Sequence, residues 1–267
     1  VRRPRPRRSI ATAVALAAGV LVTGCGDGGS ARHGSSSTSP DRHLDGSITV
    51  FAAASLTEAF GDLGTRFEHD HPGTTVTFDF GASSSLAAQI AQGAPADVLA
   101  SADEATMDRL AASSLVGHPA AFAHNRLAIL VADGNPHRIA SLADLADPAL
   151  TVVLCARQVP CGRYAARVLA TAGVAVSPRS LETDVKGVVT KVETGDADAG
   201  VVYATDARSA ADDTDSVAIP TSLNAIATYP IAVTAASTNR TLARAFVEYV
   251  RSPAGQRVLH RSGFTRP

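Results

Sequence analysis

Short apolar runs alternate with segments of helical spacing along most of the chain, and this alternation is the strongest signal in the sequence. Ser47 to Ala54 (SITVFAAA) is β-branched, aromatic and apolar, which predicts a buried strand. Ser55-Leu56-Thr57-Glu58 then matches the S-x-x-E capping box, and Leu56, Ala59, Phe60, Leu63 and Phe67 follow at helical spacing. Thr75 to Phe80 predicts a second strand, followed by the serines Ser83 to Ser85 and a helix through Ile90. Ala96 to Ala100 predicts a third strand and Asp103 to Ala112 a third helix. This β-α-β-α-β-α opening implies a parallel sheet with helices on its faces.

A loop then leads to an apolar strand, Arg126 to Ala132, and a short helix, Ser141 to Leu145. Thr151 to Leu154 predicts a strand running into a cysteine loop (LCARQVPCGRY), before a helix from Arg163 to Ala172. Val185 to Val192 predicts a helix ended by Gly195, a glycine placed as a C-cap. Ala199 to Tyr203 is a strand, Ala225 to Ala235 a β-crossover, and Thr241–Arg251 and Pro253–Arg261 are terminal helices. No internal repeat is visible. The expected fold class is α/β with two lobes, each a mixed, mostly parallel sheet flanked by helices. Residues 46–125 with 230–267 form lobe I, and residues 126–229 form lobe II.

Composition changes the picture at the N-terminus. The first 24 residues hold five arginines and no acid, then an uncharged run from Ser9 to Gly24 too short for a comfortable membrane span. Val22-Thr23-Gly24-Cys25 resembles the lipobox of bacterial lipoproteins, so residues 1–24 read as a leader and Cys25 as the lipidated residue. An ordinary signal peptide or single-pass anchor is the plainer alternative. The paired arginines hint at twin-arginine export, but the rest of that motif is absent. Residues 25–45 are rich in glycine and serine and read as a tether.

The formal charge of the whole chain is −1, and it becomes more acidic without the leader, which argues against a broad nucleic-acid surface. Tryptophan is absent and phenylalanine plus tyrosine make up 4%, so a stacked sugar is a poor ligand. Arginine outnumbers lysine 22 to 2, read as composition bias. Setting Cys25 aside leaves Cys155 and Cys161, an even pair outside the cytoplasm, which predicts a small disulfide loop. A zinc site is the rival, weakened by the lack of a second cysteine pair. Glu68-His69-Asp70-His71 could chelate a metal, but reads more simply as an exposed helix end before Pro72-Gly73.

Ser55 and Ser83 each stand between a strand and a helix. First-turn amides and the helix dipole make such junctions anion sites, and a serine hydroxyl adds a rotatable donor. Each serine could equally be an N-cap. No G-x-S-x-G elbow surrounds either one and no S-x-x-K occurs, which disfavours a serine hydrolase.

ITVFAAASLTEAF, FGASSSLAAQIAQGAPADVLASAD and GVVYATDA together closely resemble the periplasmic molybdate-binding proteins of ABC importers, within the bilobal type II solute-binding proteins. The likeness runs over most of Ser47 to Phe264. It implies a binding protein rather than an enzyme, with no cofactor and no salt bridge to its oxyanion. Carried over by motif, the hydroxyl donors are Ser55 (AAASL), Ser83 and Tyr203 (GVVYATDA). The backbone contacts fall on Cys161 (VPCG) and Val185 (DVKG). The implied ligand is molybdate or tungstate and the implied partner an ABC permease. The implied form is a monomer outside the cytoplasm, held to the membrane by lipid on Cys25. Cys161 departs from the small non-thiol residue common there, a change that a peptide N–H contact tolerates. The rivals are sulfate, ferric ion or an organic acid on the same fold. Paired tyrosines would mark ferric ion, and an arginine clamp from Arg157 or Arg163 an organic acid; both arginines read more simply as surface residues.

Overall fold

The computed structural model describes residues 44–267; the leader, Cys25 and the tether up to residue 43 lie outside the described residues. Lobe I is built on β1 (Gly46–Ala53), β2 (Thr74–Gly81), β3 (Val98–Ala100), β4 (Ala120–Asn125) and β10 (Ala227–Val233), in the order β2-β1-β3-β10-β4. Lobe II is built on β5 (Leu127–Ala132), β6 (Val152–Cys155), β7 (Ser180–Glu182), β8 (Ala199–Tyr203) and β9 (Thr214–Ala218), in the order β7-β6-β8-β5-β9. Each sheet has three parallel strands followed by an antiparallel neighbour that pairs onward to a fifth. The two lobes therefore share one topology although no repeat is visible in the sequence. The chain crosses between sheets at Arg126 and again between β9 and β10.

Helices cover both faces of the lobe I sheet. On one side, α1 (Thr57–Asp70), α7 (Arg240–Arg251) and α8 (Pro253–Arg261) press an aromatic cluster onto the strands. Phe60 lies 5.7 Å from Phe122 and 6.2 Å from Phe246 between ring centroids, with no exposed surface. Burial of such a ring contributes roughly 2–3 kcal/mol. On the other side, α2 (Ser83–Ala91) and α3 (Glu104–Ala112) pack Leu86, Met107 and Leu110 against Phe51 and Leu99. Alternate residues of β1 thus feed two cores, which is why that strand is apolar almost throughout. Both sheets and both cores are built by residues 44–267, within a compact unit of the kind that folds without the preceding chain.

Several expectations change in the structure. The Ser55–Glu58 capping box does not form: Ala54–Leu56 is a 3-10 turn, and the N-cap of α1 is Leu56, with no side-chain cap bond. The short helix at Ser141 is a 3-10 segment, Leu142–Ala146, capped by Ser141 and Asp144. In lobe II, α4 (Pro160–Ala172) starts three residues before Arg163, because Pro160 supplies a preset first-turn φ. β4, β7, β9 and α6 (Ala204–Ser209) were not expected. β7 and β9 are short, polar edge strands, and β4 carries small residues ending in His124-Asn125, so none shows a buried-strand pattern. Among the described residues no helix is long and apolar enough to cross a membrane.

Candidate functional site

The C-terminal ends of the parallel strands in both sheets face a single cavity. Strand register sets its lobe I wall. Ala53 of β1 pairs with Gly81 of β2, so the residues two places beyond each, Ser55 and Ser83, come level with one another. From lobe II come Cys161, Val185 and Tyr203, at or beyond the ends of β6, β7 and β8, and all five residues line the cavity. Among the described residues no lysine, arginine or histidine lines it, and Asp184 is the one charged residue on its wall.

The hydroxyls are arranged as donors. Ser83 is 1% exposed and its Oγ accepts the Ala102 backbone N–H at 2.9 Å, so its own hydrogen is free to point inward. It lies in the first turn of α2 rather than at its N-cap, which is Ala82. Ser55 Oγ lies 2.9 Å from Tyr229 Oη, and Asn125 Nδ2 donates to that same phenol oxygen at 3.4 Å. Either oxygen can donate in the Ser55–Tyr229 pair; when the tyrosine donates, the serine hydrogen is left for the cavity. Tyr203 Oη is buried with no hydrogen-bond partner among the described residues. Burial pushes the Tyr203 and Tyr229 phenols above their ordinary range, so both stay protonated.

The amides follow from helix starts. Cys161 sits in the first turn of α4 and Val185 opens α5 (Val185–Glu193), positions whose N–H groups lack an intrahelical acceptor. Gly162 makes the first of these possible. A Cβ there would stand 2.0 Å from the Ala156 carbonyl oxygen, so only glycine lets α4 begin folded down on β6. Cys155 and Cys161 are joined by a disulfide that ties that turn to the strand end. Asp184 caps α5 by accepting the Gly187 N–H at 3.0 Å. It is an acceptor on the wall, so the pocket is not made of donors alone.

Sequence reasoning missed what joins the lobes. Arg163 is no surface residue: from α4 it reaches Asp103, the N-cap of α3. Its Nε donates to Oδ2 at 2.9 Å and its Nη2 to Thr106 Oγ1 at 3.0 Å. Its guanidinium is therefore occupied and free for no carboxylate ligand, whereas Arg157 is exposed. Lys186 of α5 likewise meets Glu58 of α1 at 2.7 Å, with Asp206 of α6 at 3.5 Å. Tyr229 and Asn125 were missed because β4 and β10 were read as a loop and a crossover; the buried run around Tyr229 was their only signal. Glu68 Oε1 accepts the Val76 N–H, and among the described residues no His, Cys, Asp and Glu group could hold a metal.

Asp206 carries a testable consequence. Burial pushes its carboxyl up to about 7, against the pull of Lys186. A carboxyl held above its ordinary 3.8 binds its proton more tightly when folded, so it subtracts stability as pH rises from 3.8 to about 7. Asp206→Asn is expected to raise the melting temperature at about pH 8 by several degrees and by clearly less at about pH 5. An equal shift at both pH values would contradict this.

Two five-stranded sheets of one topology, with hydroxyl and amide donors converging between them, define a two-lobed binding protein. The family model for bacterial extracellular solute-binding proteins matches residues 48–265, and the chain belongs to that family. It is 44% identical to the molybdate-binding protein ModA of Mycobacterium tuberculosis H37Rv, over 97% of this chain and 100% of that protein. It is 32% identical to the molybdate-binding protein ModA of Escherichia coli K12, over 83% of this chain and 90% of that one. The periplasmic molybdate-binding protein of Azotobacter vinelandii has the same fold (TM-score 0.72, 20% identity, 82% of this chain and 99% of that one).

Proposed function

We propose that this protein captures molybdate, and tungstate with it, between its two lobes outside the cytoplasm and hands it to the permease of an ABC importer. In this reading Ser55, Ser83 and Tyr203 donate hydroxyls, Cys161 and Val185 donate amides, and lipid on Cys25 holds the monomeric protein at the membrane. The observation that carries it is the Tyr203 hydroxyl. A buried hydroxyl without a partner costs about 1–3 kcal/mol, and an oxyanion in the cavity would satisfy it. The 44% identity to a molybdate-binding protein along its full length supports the same ligand.

The magnitudes are sufficient. Nanomolar affinity needs about −12 kcal/mol. Helix N-termini supply roughly 0.3–2 kcal/mol each. Hydrogen bonds to a charged group add ~1.5–3 kcal/mol apiece, strengthened where water is excluded. A binding role rather than hydrolysis also fits, since neither serine has a histidine or lysine on the cavity wall to take its proton. A ferric site would draw on several phenolate, carboxylate or imidazole ligands together, and of the residues lining the cavity only Tyr203 and Asp184 are of those kinds.

Calorimetric titration of residues 44–267, freed of bound anion, is expected to show tight binding of molybdate and tungstate, weaker sulfate and weakest phosphate. Phosphate near neutral pH carries a proton that the hydroxyl and amide donors cannot accept, and Asp184, the one carboxylate on the wall, already has one oxygen taken by the Gly187 N–H. Phosphate binding as tightly as molybdate, or equal affinity for all four anions, would sink the proposal.

A further inference from the structure

The arginines are numerous throughout this chain, but their placement is uneven. Residues 240–267 carry six arginines against one acid, Glu248. Residues 44–239 carry eleven lysines and arginines against twenty-two acids. On α7, Arg240, Arg244 and Arg251 recur at intervals of four and seven, which places them within a stripe roughly 40° wide. The stripe is exposed, and the opposite side of the helix buries Leu242, Ala243, Phe246 and Val250. On α8, Arg257 and Arg261 are exposed one turn apart. Arg251 and Arg266 share a groove on one flank of α8, and Arg257 and Arg261 share the other with Arg66 of α1. Arginines therefore recur along α7 and on both flanks of α8, with Glu248 as the acid in the first groove and Asp70 in the second.

These cations neutralise little within the protein. Asp62 takes Arg66 at 3.7 Å and Arg261 at 4.0 Å; among the described residues Arg240, Arg244, Arg251, Arg257 and Arg266 form no salt bridge. None of them lines the oxyanion cavity. The start of the domain lies at the same place. Asn239, the N-cap of α7, donates from Nδ2 to the Asp45 carbonyl at 3.2 Å. The chain preceding Leu44 thus joins the domain beside Arg240.

We propose that this arginine face docks the domain onto an anionic lipid surface. Clustered arginines near a negatively charged leaflet gain affinity with each charge. One acyl chain alone binds a membrane reversibly, and a basic patch is the kind of second signal that makes such binding stable. A lipid on Cys25 would deliver the membrane to the end of this stripe, but the charge argument stands without it. Nucleic acid suits the surface less well, because the rest of the domain is acidic and would repel it. Once docked, the domain would have the cavity and the α4–α5 face of lobe II free of lipid contact.

The test is vesicle sedimentation with residues 44–267. Binding is expected to phosphatidylcholine vesicles containing phosphatidylglycerol and not to phosphatidylcholine alone, and to be lost at high salt. The triple variant R240E/R244E/R251E is expected to bind anionic vesicles on the order of 100-fold more weakly, with molybdate affinity unchanged. If that variant fails to fold, R240Q/R244Q/R251Q carries the same test with a smaller expected loss. The control R157E/R167E/R179E changes charge equally at exposed arginines of lobe II and is expected to bind as the unaltered domain does. Equal binding to neutral and anionic vesicles overturns the proposal, as does an equal loss in the control. Retention on an acidic protein or nucleic acid in preference to vesicles also overturns it. None of these results bears on molybdate binding, which the calorimetric titration tests separately.

Discussion

Ser83→Ala is expected to weaken molybdate binding by one to two decades, equivalent to ~1.5–3 kcal/mol for a hydrogen bond to a charged acceptor. The Ser83 hydroxyl is held between the Ala102 amide, whose hydrogen it accepts, and the cavity, into which its own hydrogen points. Removing it takes away one donor to the anion and leaves the Ala102 N–H without its acceptor, so a small drop in melting temperature accompanies the loss. Ser85→Ala, two residues along the same helix at an exposed position, is expected to change affinity less than twofold. Titration calorimetry on the three proteins, each checked by thermal melt, decides the matter. An unchanged dissociation constant for Ser83→Ala would return that serine to a purely structural role.

Arg163→Ala is expected to act through the lobes rather than through the anion. The guanidinium belongs to α4, the helix that presents the Cys161 amide, while Asp103 and Thr106 belong to lobe I. Shut lobes without Arg163 leave the Asp103 carboxylate buried, at 4% exposure, with no cation beside it. Truncating one member of a buried, hydrogen-bonded charge pair costs about 2–5 kcal/mol, expressed mainly in dissociation. Molybdate is therefore expected to leave roughly thirtyfold to a few thousandfold faster, with association nearly unchanged. Adding Asp103→Asn to Arg163→Ala removes the stranded charge and should recover part of the loss. Stopped-flow release is the readout, and an unaltered release rate would show that the bridge does not govern closure. The second crossing, Lys186 to Glu58, is partly exposed and is expected to matter less.

Local features carried far in this chain. The apolar runs of β1, β3, β5, β6 and β8 were legible because each is a buried strand whose pattern needs no partner to be recognised, and the edge strand β2 because its eight residues alternate. The helices α1, α2, α3, α5, α7 and α8 were legible from their spacing, and Gly195, at φ +75° just beyond α5, from its helix-ending role. The serines Ser55 and Ser83 could be singled out because a strand, a small residue, a serine and a helix follow one another within a few positions. The edge strands β4, β7 and β9 escaped, since a strand with one solvated side and few residues carries a weak periodic signal. The capping box at Ser55 was misread for a related reason: its spacing is right, but Tyr229, 174 positions away, takes the hydroxyl instead.

The order of strands and helices, the two-lobed class and the choice of hydroxyl-bearing residues follow from local periodicity and from motifs that the chain carries in short stretches. The direction in which each hydroxyl points, the glycine that lets Cys161 come close, Asp184 as an acceptor on the wall, and the Arg163 and Lys186 bridges do not. Each of those depends on a pairing between segments far apart in the chain, and such pairings are made only when two sheets of one topology bring their strand ends together. Ser55, in the 3-10 turn before α1, and Ser83, in the first turn of α2, are placed to donate because Tyr229 and the Ala102 amide occupy their other side. That allocation of hydrogens belongs to the folded protein alone.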